Sequence, residues 1–252
     1  FESILAEASP DREKPRAYSV DTRAFHDPES GNKLGLGSSA AVAVALAGAC
    51  SQTLDSGLVA AKLAATAHAR FQGGRGSGID IASAAHGGLI RYVRGVSTDA
   101  VSWPEGLQVV VLWSGQSAST LDKLVDLERR GSSAAARDLE EAAEMAARAW
   151  ATGDAADVLG ALRQFRESLL AYDAEHEIGI FSGGHKELVD LSLEHPALVY
   201  KPCGAGGGDV GMAFCADPGE LERFVQQAEQ LGFSRLHIGV DPTGLQITTE
   251  AA

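Results

Sequence analysis

An apolar, alanine-rich run from Ala40 to Ala49 follows directly on Lys33-Leu34-Gly35-Leu36-Gly37-Ser38-Ser39. That succession predicts a tight loop feeding a helix over about residues 38–50, with Ser38 and Ser39 where N-caps usually fall. Leu58, Leu63 and Ala67 recur near helical spacing and predict a second helix from Gly57 to Phe71, capped by Asp55 or Ser56. Alternating or continuous apolar runs predict strands at Ala17–Thr22, Leu89–Val93, Leu107–Trp113 and Met212–Cys215. Long patterned stretches predict helices at Leu121–Arg130, Ser133–Thr152, Asp154–His176, Gly184–Glu194 and Gly219–Leu231. Arg235–Val240 and Leu245–Thr249 flank Asp241-Pro242-Thr243-Gly244 and read as a terminal hairpin. The class is α+β.

Three glycine-rich segments interrupt this pattern. In the first, Gly35 and Gly37 permit positive φ and close backbone approach. The unpaired N–H groups at the following helix start, with the positive end of the dipole, suit a phosphate; a plain Ser-capped buried helix is the alternative. The second segment is Gly73-Gly74-Arg75-Gly76-Ser77-Gly78, followed by Ile79-Asp80. Here Ser77 or Gly78 can open a short helix, ended by Gly87-Gly88, with Asp80 in its first turn, where a carboxylate is favoured as the anion. In the third, Gly204-Ala205-Gly206-Gly207-Gly208 after Lys201-Pro202-Cys203 cannot build a stable helix or strand interior and lets backbone amides converge as an anion nest. Ser114–Thr120 is a hydroxyl-rich loop that either caps or donates to a substrate, and Ile178–Gly184 is a break expected near the cleft. His68 stands alone on its helix and reads as a satisfied core or surface histidine, while Arg91 and Arg94 read as solubility charge.

Composition narrows the partners. The 252 residues are 45% hydrophobic, enough for a real core, and carry a net charge of −13. That charge argues against general nucleic-acid or anionic-membrane binding and requires any anion site to be locally positive. Cys50, Cys203 and Cys215 lack C-x-x-C spacing and read as buried thiols of a reducing compartment, so a cytoplasmic location is expected. No apolar run approaches the ~18 residues of a membrane span. The chain opens at Phe1 in what reads as the middle of a fold, and a further N-terminal piece is expected. Neither a strand–GxGxxG–helix–acidic unit nor a G-x-x-x-x-G-K-[ST] loop is found.

KLGLGSSAA, GRGSGIDIASAAHGGLIRY, LWSGQSAST and KPCGAGGGDVG, in that order over about residues 15–250, resemble the GHMP kinase superfamily of small-molecule kinases. Their phrasing is nearest the branch that acts on phosphomevalonate. The resemblance implies a two-lobed fold: an N-terminal lobe like ribosomal protein S5 domain 2, incomplete here, over residues 1–106, and a ferredoxin-like C-terminal lobe over residues 107–252. It implies ATP and Mg²⁺ as cofactors and small-molecule substrates, with a homodimer allowed. Lys33, Gly35, Leu36, Gly37, Ser38, Ser39 and Ala40 would hold the ATP phosphates, with Ser38 or Ser39 assisting the metal. Asp80 would be the active-site aspartate, paired with a lysine supplied by the N-terminal segment. Arg75, Ser77, Lys201, Gly204, Ala205, Gly206, Gly207 and Gly208 would hold a phosphorylated acceptor. The implied reaction is transfer from ATP to phosphomevalonate, giving diphosphomevalonate and ADP. The helix before Asp80 offers no glutamate near Ala69, where mevalonate kinases place a metal ligand, which favours the phosphomevalonate branch. A GHMP kinase with a hydroxyl acceptor (mevalonate or a sugar) and a non-catalytic binding paralogue are the alternatives.

Overall fold

The computed structural model describes residues 17–50, 57–71, 76–117 and 133–248. They build two units: one from the described parts of Phe1–Phe25, Gly37–Val101 and Gly239–Ala252, the other from His26–Leu36 and Ser102–Ile238. The path is more interleaved than a single division after residue 106, since 26–36 run with the second unit and 239–248 with the first.

The first unit is assembled around α1 (Ser38–Cys50), which buries Ala40, Ala43, Val44, Leu46 and Ala47. It packs with α2 (Gly57–Phe71), whose Ala60, Ala64 and Ala67 recur at helical spacing and are all buried. Alanines on both contact faces let the helix axes approach closely. The short α3 (Ile79–His86) adds Ile81 to the same cluster, and Gly87 ends it. A hairpin follows, β1 (Leu89–Val93) against β2 (Ser97–Val101), in register from Leu89–Val101 to Val93–Ser97. Arg91 sits opposite Asp99, their charges 3.8 Å apart and exposed, as a solubility role implies.

The second unit is a four-stranded antiparallel sheet of order β4-β5-β3-β6. Its strands are β3 (Gln108–Trp113), β4 (Leu198–Pro202), β5 (Val210–Cys215) and β6 (Ser234–Leu236). The described helices are α4 (Ala134–Thr152), α5 (Ala155–His176), α6 (His185–Ser192) and α7 (Pro218–Gln230). Strand–helices–strand–strand–helix–strand with this order is the split, ferredoxin-like arrangement. One face (Val110, Leu112, Leu198, Tyr200, Ala213, Cys215) packs with Leu188 and Val189 of α6 and Leu221, Phe224 and Val225 of α7. Val199 and Phe214 pack instead with Val158, Leu159 and Leu162 of α5, and Leu34 packs with Val111, Trp113 and Val210.

Two elements differ from expectation. Residues 17–22 form no strand: the Asp21 carboxylate accepts from the Arg23 backbone N–H and guanidinium, and Phe25 N–H donates to Thr22 O, closing a 3₁₀ turn at Arg23–Phe25. Local side-chain bonds there displace the extended conformation. Among the described residues the terminal hairpin is also missing. Ser234–Leu236 pairs with the end of β3, and the Asp241–Gly244 turn forms around the Asp241 side chain. The flanking backbone bonds elsewhere: Gly88 N–H donates to Asp241 O (2.6 Å) and Leu245 N–H to Ala85 O (3.2 Å). Strands β2 and β4 go beyond the sequence reading. The expected helix at 121–130, the cap at Asp55–Ser56, loop residues 118–120 and Thr249 lie outside the described residues. Among the described residues no helix is long and apolar enough to cross a membrane.

Candidate active site

In the first unit the loop before α1 takes the conformation its glycines allow. Gly37 has φ 71, and its carbonyl accepts from Ala40 and Ala41 N–H at 3.0 and 3.1 Å. Gly37 is therefore the cap, a correction to the expectation for Ser38 and Ser39, which instead open the helix. Their N–H groups are among the first donors of the helix, which have no acceptor within it. Asp80 is exposed in the first turn of α3, whose cap is Gly78 at φ 85. A methyl built on Gly37 would lie 3.8 Å from Cβ and Cγ of Asp80, so the structure brings these two expected site residues together.

His68 joins them. It is buried on α2, and its Nε2 lies 3.2 Å from Ser39 Oγ. Burial pushes its imidazole pKa down, opposed in part by the negative charge of Asp80. The sequence offered no sign of this, because the contact joins two helices at unrelated spacing. Ser77 is exposed; its Oγ accepts from Ile79 N–H (3.3 Å), and its carbonyl accepts from the Tyr92 hydroxyl (2.9 Å). Tyr92 on β1 thus steadies the turn that presents Asp80. Gly73, Gly74 and Arg75 lie outside the described residues.

In the second unit, Lys33 is exposed and bridges His26 across a small antiparallel turn. Leu34 is buried and Leu36 packs beside it, while Gly35 has φ 75. The segment expected to form an anion nest has φ of 58, 65 and 78 at Gly204, Gly206 and Gly207, but two of its amides are already bonded within the protein. Gly206 N–H donates to Cys203 O and Gly207 N–H to Ile180 O (2.8 Å). A methyl on Gly206 would lie 2.2 Å from that Ile180 oxygen, and one on Gly183 3.2 Å from Gly208 N. The 178–184 break therefore supports the glycine segment. It is itself pinned, since the Asp173 carboxylate accepts from Ile180 and Phe181 N–H at 2.9 and 3.1 Å.

Behind this segment His185 is fully buried, with Nε2 2.8 Å from Gly208 O and Nδ1 2.7 Å from the Tyr200 hydroxyl. A carbonyl only accepts, so Nε2 carries the hydrogen and Nδ1 accepts from Tyr200. Burial pushes the Tyr200 phenol pKa up, keeping it a neutral donor. Gly211 leaves room for this hydroxyl: a methyl there would meet it at 2.1 Å. Tyr200→Phe should cost about 1–3 kcal/mol of stability by leaving Nδ1 buried without its donor. Urea denaturation checks this, and an unchanged midpoint would remove the bond from the account. Lys201 Nζ donates to Pro202 O (2.9 Å) and lies 5.8 Å from the Phe165 ring centroid. Its charge is thereby held between the end of β4 and the Phe165 ring of α5.

Residues 27–88 match the family profile for the GHMP kinases N terminal domain. The chain is 34% identical over 219 residues to phosphomevalonate kinase from Streptomyces sp. strain CL190, covering 73% of this chain and 58% of that protein. It thus spans less than two thirds of the length of that curated relative. Among solved structures it is similar to a Lin0012 protein from Listeria innocua (27% identity, TM-score 0.78, 86% of this chain and 69% of that one). The Streptococcus pneumoniae phosphomevalonate kinase in complex with phosphomevalonate and AMPPNP shares the fold (21% identity, TM-score 0.71, 84% and 70%). The segment 27–88 is thus similar to the N-terminal domain of the GHMP kinases, and the described fold is similar to that of a phosphomevalonate kinase.

Proposed function

We propose that this protein is a cytoplasmic kinase that transfers the γ-phosphoryl group of ATP to the phosphate of phosphomevalonate, giving diphosphomevalonate and ADP. The observation that carries the proposal is the juxtaposition of Asp80 with Gly37 at the leading N–H groups of α1. The likeness to the Streptomyces enzyme supports the choice of acceptor. Lys33 and Gly35 to Ala40 hold the nucleotide phosphates, with the N–H groups of Ser38 and Ser39 aimed at them. Among the described residues no three His, Cys, Asp or Glu side chains form a metal-binding group. The available donors are the hydroxyls of Ser38 and Ser39 and the Asp80 carboxylate. These hard oxygens suit Mg²⁺ arriving with the triphosphate, as that ion is usually bound. Bound there, Mg²⁺ neutralises charge on the phosphoryl oxygens.

The acceptor determines what Asp80 does. A phosphomonoester has its second pKa near ~6 and is already mostly dianionic at neutral pH, so it needs no base. Asp80 then orients the cationic partners of the reaction. Arg75, Ser77, Lys201 and the Gly204–Gly208 segment hold the acceptor's phosphate. Phosphoryl transfer consists largely of such alignment and charge neutralisation. The test is ADP release with ATP and Mg²⁺, offering phosphomevalonate and mevalonate separately. Turnover with phosphomevalonate alone is expected. Turnover with mevalonate alone would overturn the acceptor and make Asp80 a base.

A further inference from the structure

Asp209 follows the Gly204–Gly208 segment and leads into β5. At φ 54 it holds a left-handed conformation, uncommon for a residue with a side chain and best tolerated by Asn and Asp. Its backbone is tied to the end of β3: its N–H donates to Gln116 O (2.6 Å) and its carbonyl accepts from Ser114 N–H (2.9 Å). These bonds fix where its side chain emerges. A methyl built on Gly35 would lie 2.3 Å from Asp209 Cβ and Cγ and 2.7 Å from its Oδ1, so the Asp209 side chain fills the space that a side chain at Gly35 would need. Around this contact Leu34 is buried on Val111, Trp113 and Val210, and the Ser117 hydroxyl donates to Lys33 O at 3.4 Å. Segment Lys33–Gly35 is thus gripped from several directions, and Gly35 has two constraints: φ 75 and the Asp209 side chain.

We propose that Asp209 is a positioning residue for nucleotide binding, the seat on which Gly35 rests and which sets the path of Lys33–Gly35 toward the nucleotide phosphates. The proposal rests on reading Lys33–Ala40 as the phosphate loop. It also explains why Gly35 must be glycine without appeal to phosphate contact.

The test uses the full chain, with a fluorescent ATP analogue for binding and steady-state kinetics alongside. Asp209→Gly is comfortable at φ 54 but removes the seat. It should weaken analogue binding and raise the ATP KM about tenfold, with kcat within about twofold, the pattern of lost ground-state positioning. Asp209→Asn keeps the shape and should stay within about twofold of wild type. Gly35→Ala should weaken binding more than Asp209→Gly, and the double variant G35A/D209G should bind better than G35A alone, because the clash has gone. The same cycle read on thermal midpoints reports the coupling where G35A folds poorly. Wild-type behaviour of Asp209→Gly, additive effects in the cycle, or a change confined to the acceptor KM would each overturn the proposal. Wild-type protein that binds no nucleotide would overturn the kinase reading itself, and this inference with it. Nucleotide binding without turnover of phosphomevalonate would remove only the acceptor.

Discussion

Replacing Asp80 by asparagine is expected to lower kcat roughly 100- to 1,000-fold while ATP affinity stays within about threefold. The substitution is isosteric, Asp80 is exposed, and it holds no helix cap, so the fold has no reason to change. What disappears is a negative charge at the position that faces Gly37. Nucleotide phosphates bound by N–H groups of α1 do not depend on that charge and gain slightly from its removal. The transition state does depend on it, if the carboxylate orients the cations that gather the transferring group. Parallel measurement of kcat and of nucleotide binding separates the two. An unchanged kcat would take Asp80 out of the mechanism. A loss confined to ATP binding would make it a nucleotide-site residue instead.

Gly206→Ala should be far more damaging than Gly204→Ala, although the two glycines are two positions apart in one segment. Both have positive φ, and an alanine there costs about 1–2 kcal/mol from backbone conformation. At Gly204 nothing lies within 4 Å of the new methyl, so that is the whole cost. At Gly206 the methyl meets the Ile180 carbonyl, which accepts from Gly207 and cannot retreat because Asp173 holds the next amides. Overpacking against fixed backbone adds about 1–3 kcal/mol and breaks the Gly207 bond. Denaturation midpoints and the acceptor KM of both variants check the contrast. Equal effects would mean that the 178–184 turn gives way freely.

The helices and glycine loops were legible because their signals are local: capping residues, an apolar run and clustered glycines within a few positions. α1, α3, β1 and the Gly204–Gly208 segment all follow from such signals. Strand β4 escaped notice because LVYKP is a short run ending in proline ahead of a glycine segment, and its partner β5 supplies the pairing. The false strand at 17–22 and the false hairpin share one cause: both had suitable alternation, but their backbone groups found other partners. The site shows the same division. Asp80 and the glycine loop before α1 could be proposed from their surroundings in sequence, and Gly37 and Asp80 do lie together. His68, His185 and Asp209 could not, because each acts through a contact with a residue distant in the chain.

The docking of residues 239–248 on the first unit bears on how the protein is made. Leu245 packs beside Gly48 of α1, and Gly244 lies so close to Gly87 that a methyl on Gly87 would meet its nitrogen at 2.2 Å. The segment is translated only after the whole of Ser102–Ile238. α1, α2 and α3 therefore lack this wall until the last strand of the second unit's sheet, β6, has also been made. α1, whose own residues are made early, gains Leu245 as a neighbour only after residues 102–238 have been made.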